Sequence, residues 1–123
     1  MIVASLLTAI VHQAYAADPP SLKVSVKAEE DPVMRGNEQT ISVTVTDTSG
    51  NPVAGASVTS HSMITPSESN TENFNGKTDE NGKWSFSWQI DNQSKAGLVG
   101  VEVKASKTGF DDSYGSTFFK VIG

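Results

Sequence analysis

The sequence predicts an all-β chain, an immunoglobulin-like sandwich of two antiparallel sheets with about seven strands. Three observations predict it. From Ser21 onward, apolar side chains recur at every second residue and no helix-length window shows a 3.6-residue period. Clusters of Gly, Pro, Asn and Asp separate those runs. The chain has 123 residues and no cysteine, which suits one core held by packing alone. Lacking cysteine, it has no disulfide, Fe–S cluster or thiolate zinc site. Nine Lys+Arg against 14 Asp+Glu give a net charge of −5, which argues against nucleic acid or an anionic membrane surface as partner.

Residues 1–16 contain no Asp, Glu, Lys or Arg; Ile2 to Val11 is mostly apolar, and Ala14-Tyr15-Ala16 places small residues where a signal peptidase cuts. The expectation is a secretory signal over 1–16, a short Pro19-Pro20 linker over 17–20 and the sandwich over 21–123, in a protein that is secreted, periplasmic or at the cell surface. A signal normally begins with a basic segment, and this one does not. A truncated anchor or a retained folded segment are the two other readings, and membrane association follows only if the segment is retained.

The elements follow in order. Leu22, Val24, Val26 and Ala28 alternate with Lys23, Ser25 and Lys27, a strand with one dry face. Glu29 to Pro32 ends it. Ile41, Val43 and Val45 face inward in the run from Thr40 to Asp47, and Asp47 to Pro52 is a turn cluster. Ser57 to Met63 is a third strand with Val58 inward. Ile64 to Asn75 reads as a long connection or irregular edge anchored by Phe74. Lys77-Thr78 and Lys83-Trp84 flank Asp79-Glu80-Asn81-Gly82 as a hairpin. Trp84, Phe86, Trp88 and Ile90 then form an inward aromatic wall, which predicts that both tryptophans are buried. Leu98 to Ser106 puts Val99, Val101, Val103 and Ala105 inside, with Phe110 beyond it at one end of the core. In the last strand, Tyr114 to Ile122, two phases are open: Phe119 and Val121 share one face, and Tyr114, Phe118 and Ile122 share the other.

Two segments carry a resemblance. Val45-Thr46-Asp47-x-x-Gly50-Asn51-Pro52-Val53-x-Gly55-Ala56-x-Val58 and Thr78-Asp79-x-x-Gly82-Lys83-x-x-Phe86 resemble bacterial immunoglobulin-like domains of the invasin/intimin type. Carboxypeptidase-regulatory-like and transthyretin-like β-sandwich modules carry similar phrases. The resemblance implies a non-catalytic module of a surface or secreted protein with a structural, spacer or adhesion role, whose partner is another envelope or extracellular protein or adjacent copies of similar domains. It implies no binding residue. It spans roughly residues 40–110.

Catalytic constellations are missing from the sequence. His61 is the one histidine after the leader, which holds His12, and no serine sits in Gly-x-Ser-x-Gly. Calcium is the metal worth weighing, because Glu29 to Asp31, Asp79-Glu80, Asp91 and Asp111-Asp112 fall in turns; Glu30, Asp111 and Asp112 are the candidate ligands if two loops meet at one end. No other cofactor is implied. The alternative functions are a carbohydrate-binding module, if the Trp84/Phe86/Trp88 face were outward, a calcium-dependent ligand-binding module, or an accessory domain of a larger exported enzyme. Asn92-Gln93-Ser94 matches a glycosylation acceptor. The Tyr114/Phe118 face of the last strand is the candidate interaction surface.

Overall fold

A computed structural model describes residues 19–64 and 71–123. The leader read over 1–16, the first half of the linker and the stretch 65–70 lie outside the described residues. Among those described, eight strands occur in the order β1 (Leu22–Ala28), β2 (Val33–Met34), β3 (Glu38–Asp47), β4 (Ser57–Ile64), β5 (Thr71–Lys77), β6 (Lys83–Gln89), β7 (Gly97–Ser106) and β8 (Ser113–Ile122). They form a three-stranded sheet, β1-β3-β6, packed on a five-stranded sheet, β2-β8-β7-β4-β5. All pairings are antiparallel except the two-residue parallel pairing of β2 with β8. The fold is the all-β, two-sheet immunoglobulin-like sandwich that the alternation predicts.

Period-two side chains explain where the core sits. Ile41, Val43 and Val45 of β3 are buried in one cluster with Val99, Val101, Val103 and Ala105 of β7. Burial of each such side chain stabilises by about 1.5–3 kcal/mol for the larger aliphatics. β1 pairs with β3 so that Val24, Val26 and Ala28 lie opposite Val45, Val43 and Ile41. Those three stay half-buried because β1 is the last strand of its sheet. The two phases open for β8 resolve through its pairing: Phe119 lies opposite the inward Val99, so Phe119 and Val121 enter the core and Phe118 and Tyr114 face water.

Three expectations need correction. The Asp79–Gly82 turn does not close a hairpin: β5 pairs with β4 and β6 with β3, so the turn carries the chain from one sheet to the other. Thr78 holds that corner. Its buried hydroxyl donates to the Val53 carbonyl at 2.6 Å and accepts from the Ala56 N–H at 2.9 Å. The segment read as a connection or irregular edge contains a regular strand, β5, whose polar composition suits the end of a sheet. The tryptophans face inward yet are only half-buried, while Phe86 is 8% exposed. The physical reason is that β6 ends its sheet. Phe74 reaches across from β5 to stack on Phe86, with ring centroids 4.5 Å apart, and Trp88 meets Phe119 edge-on at 6.0 Å.

Polar groups in the interior are few. Gln39 is fully buried and serves the turn after β1: its Oε1 accepts from the Glu30 and Thr40 N–H groups at 3.0 Å, and its Nε2 donates to the Glu30 carbonyl at 2.6 Å. Ser60, opposite Phe74 and Val103, is also fully buried, and its hydroxyl has no hydrogen-bond partner among the described residues. Ser60→Ala should therefore raise stability by about 1 kcal/mol, read as a higher urea midpoint. A clear loss would show that the hydroxyl is engaged.

The Asp47 and Asp79 turns are alike. Asp47 Oδ1 accepts from the Ser49 and Asn51 N–H groups at 2.9 Å, and Asp79 Oδ1 accepts from Asn81 at 2.8 Å and Lys83 at 3.0 Å. The Asn51 backbone N–H holds the Asp47 carboxyl below the ordinary aspartate value of 3.8, and the Lys83 backbone N–H does the same for Asp79. A carboxyl that is more acidic in the folded state adds stability above the unfolded value and loses it as pH falls through the folded one. The expected result is a drop in urea midpoint below about pH 4 that is smaller in an Asp47→Asn/Asp79→Asn variant. Equal drops in both proteins would contradict it.

Candidate functional site

The outer face of the five-stranded sheet carries the exposed apolar surface. Adjacent residues of a strand point to opposite faces. Once Phe119 is inside, Phe118 must be outside, together with Tyr114 two positions of the same face away. Both are 59% exposed; Leu98 on β7 is 52% exposed and Met34 on β2 is 53% exposed. Register brings them together. Leu98 lies opposite Lys120, Gly100 opposite Phe118, and Met34 beside the half-buried Ile122. Gly100 is what lets the Phe118 ring lie flat on the sheet: a Cβ there would stand 3.0 Å from Phe118 Cε1. Met34, Leu98, Phe118 and Ile122 thus gather at one end of this face around the exposed Lys120, which lies between Phe118 and Ile122 on β8 and opposite Leu98.

Farther along, the face turns polar. Ser116, Glu102, His61 and Asn73 form one row across β8, β7, β4 and β5. His61 Nδ1 and Asn73 Oδ1 are 2.6 Å apart, which occupies the imidazole with a neighbouring amide. Tyr114 lies beyond that row, about 13 Å from Phe118 along the strand. It faces Lys104, whose ammonium is 3.4 Å from the Asp112 carboxylate in an exposed ion pair.

The carboxylates weighed for calcium do not converge. Asp111 and Asp112 lie at the end of the sandwich where Ser21 bridges Asp111. Glu30 follows β1 at its other end, about 20 Å or more away at strand spacing. Among the described residues no group of three His, Cys, Asp or Glu side chains is placed to hold a metal ion. Asn92 is exposed in the turn between β6 and β7. With Phe86 turned inward, the Trp84/Phe86/Trp88 face is part of the core rather than an open aromatic platform.

Two features of this surface were readable only in part. Leu98 is out of phase with Val99, Val101 and Val103, so its outward direction follows from alternation. Met34 offers no local signal, because it reaches the patch through a two-residue parallel contact. On the other sheet, Ser25, Lys27, Ser42, Thr44, Lys83 and Ser85 line a shallow, polar concavity of about 490 Å³. It is the hydrophilic back of β1, β3 and β6, with Lys83 donating to Thr44 Oγ1 at 3.3 Å and Ser42 to Glu29 Oε2 at 2.6 Å.

Comparison with known proteins supports the fold and goes no further. No protein-family model matches the chain, and no curated protein matches it. Among solved structures, the sporulation control protein Spo0M from Bacillus subtilis is 15% identical with a TM-score of 0.50, covering 84% of this chain and 50% of that one. A β-glucosidase from Listeria innocua in complex with isofagomine is 13% identical with a TM-score of 0.48, covering 85% of this chain. This chain spans 16% of that enzyme and half of Spo0M. The likeness to Spo0M is one of fold alone.

Proposed function

We propose that the chain is a non-catalytic, exported immunoglobulin-like module whose role is structural or adhesive, binding another extracellular or envelope protein through the outer face of β8. The observation that carries this reading is the cluster of exposed apolar side chains Met34, Leu98 and Phe118, with Tyr114 on the same face beyond the polar row. Large apolar side chains more than half exposed and clustered on a rigid sheet lose free energy to water that a partner surface recovers. The rest of the molecule fits such a role. Its one described histidine is paired with an asparagine amide, and its aromatic strand is committed to the core. Export rests on the apolar leader over 1–16 and the small residues at Ala14 and Ala16, and the finer kinship to invasin/intimin-type domains on the two turn motifs.

Site-specific photocrosslinking tests the surface. A photoreactive phenylalanine analogue at position 118 or 114 should yield discrete protein adducts in the producing cell, and the same analogue at Ser25, on the opposite sheet, should not. Adduct formation that is equal at all three positions, or absent at 118, would refute the assignment. Mass spectrometry of the purified protein should find Ala17 as its N-terminus; an intact Met1 would refute processing after Ala16.

A further inference from the structure

The ends of the two sheets are not equally protected. β1 closes onto β8, with the Val24 carbonyl lying against Gly115. β2 is two residues long. β5 presents Asn73, Asn75 and Lys77. β6 offers Ser85-Phe86-Ser87-Trp88-Gln89, a run with no proline or charge and in continuous register with β3, and such an edge is a template for another strand.

The direction of its backbone groups is set by the pairing with β3. Val45 N–H donates to the Gly82 carbonyl at 2.8 Å and Ile90 N–H to the Asn37 carbonyl at 2.9 Å. With Trp84, Phe86 and Trp88 opposite Val43, Ile41 and Gln39, the hydrogen-bonded pairs fall on those three residues. The N–H and C=O groups of Ser85, Ser87 and Gln89 therefore point away from β3, and no strand takes them up among the described residues. Lys83 points the same way, but Asp79 already engages its N–H at 3.0 Å and its carbonyl at 2.9 Å.

We infer that two copies of this chain associate edge to edge through antiparallel β6 strands, with a two-fold axis at Ser87. This register sets Ser87 opposite Ser87 and Ser85 opposite Gln89 of the second copy, so every free backbone group on the edge is paired. Shifting the axis toward Ser85 calls on Lys83, which Asp79 holds. Shifting it the other way calls on Asp91, whose carbonyl accepts from Ser94 N–H at 3.0 Å. The Ser87 register also sets Lys83 opposite Asp91 of the second copy, twice by symmetry, so opposite charges meet at both ends. On the inner face it sets Phe86 opposite Trp88, covering the indole that the edge leaves half-exposed. The contact lies on the sheet opposite the β8 face and is independent of what docks there.

Sedimentation or light scattering of the purified protein from about 1 μM to about 500 μM is expected to show a species of twice the mass of one chain. Ser87→Lys, which sets two ammonium groups face to face on the axis, should abolish it with an unchanged far-UV spectrum. Ser87→Pro should do the same, since the N–H it removes points away from β3; if that variant fails to fold, Ser87→Lys decides. Lys83→Asp should weaken association about tenfold or more, and Lys83→Asp/Asp91→Lys should restore it. A monomer throughout that range overturns the assignment. So does a dimer that withstands Ser87→Lys, and one lost instead in Phe118→Ser would place self-association on the β8 face.

Discussion

Phe119→Ala is expected to lower the free energy of unfolding by about 3–5 kcal/mol, whereas Phe118→Ala costs about 1 kcal/mol or less. Phe119 is 1% exposed, sits opposite Val99 and meets the Trp88 ring edge-on. Truncation there loses the transfer energy of the ring and leaves a cavity between the sheets. Phe118 lies on the sheet surface over Gly100, so its loss exposes a little strand and opens nothing inside. A domain of this size has about 5–15 kcal/mol in total, so the Phe119 variant should be close to unfolding at 37 °C while its neighbour remains native. Urea titration followed by tryptophan fluorescence measures both. Similar losses at the two positions would mean that β8 is set one residue out of phase.

Gly82→Ala has the second largest expected effect, about 3 kcal/mol. Gly82 has φ near +72°, where an L side chain costs about 1–2 kcal/mol. Space is lacking as well. A Cβ at Gly82 would lie 2.5 Å from the Val45 carbonyl oxygen, 3.0 Å from Val53 N and 3.2 Å from Pro52 Cα, all backbone atoms that cannot rotate aside. Relief would require moving the turn off β3 and breaking the hydrogen bond from Val45 N–H to Gly82 O, which overpacking energies put at a further 1–3 kcal/mol or so. Gly50 offers the control: it also has positive φ but nothing within 4 Å of a built Cβ, so Gly50→Ala should cost only the backbone part, about 1 kcal/mol. Equal melting temperatures for the two variants would show that close approach contributes nothing at Gly82.

The contrast between those glycines shows what local reading sees. Both stand in Asp-initiated turns with the same side-chain-to-backbone bonding, and the turn chemistry of Asp47 and Asp79 is visible in the residues themselves. That one turn is packed under Val45 and Pro52 and the other stands in solvent is a property of the assembled sandwich. Gln39 makes the same point from the interior. Extending the β3 alternation backward from Ile41 places it inward, yet its service to the Glu30 turn appears only once β1 and β3 lie side by side.

Alternation alone determined the all-β class, the inward set of β1, β3 and β7 and the shared face of Trp84, Phe86 and Trp88, because a strand's side chains take opposite faces whatever it pairs with. Pairing and sheet membership were decided by tertiary structure. The Asp79 turn sends β5 and β6 to different sheets because Thr78 ties it to Val53 and Ala56, and the wall of Trp84 to Trp88 is half-open because β6 has no neighbour beyond it in the described fold. Adjacent Phe118 and Phe119 are equivalent by composition, and only the register with Val99 assigns one to the core and the other to the surface that a partner can reach.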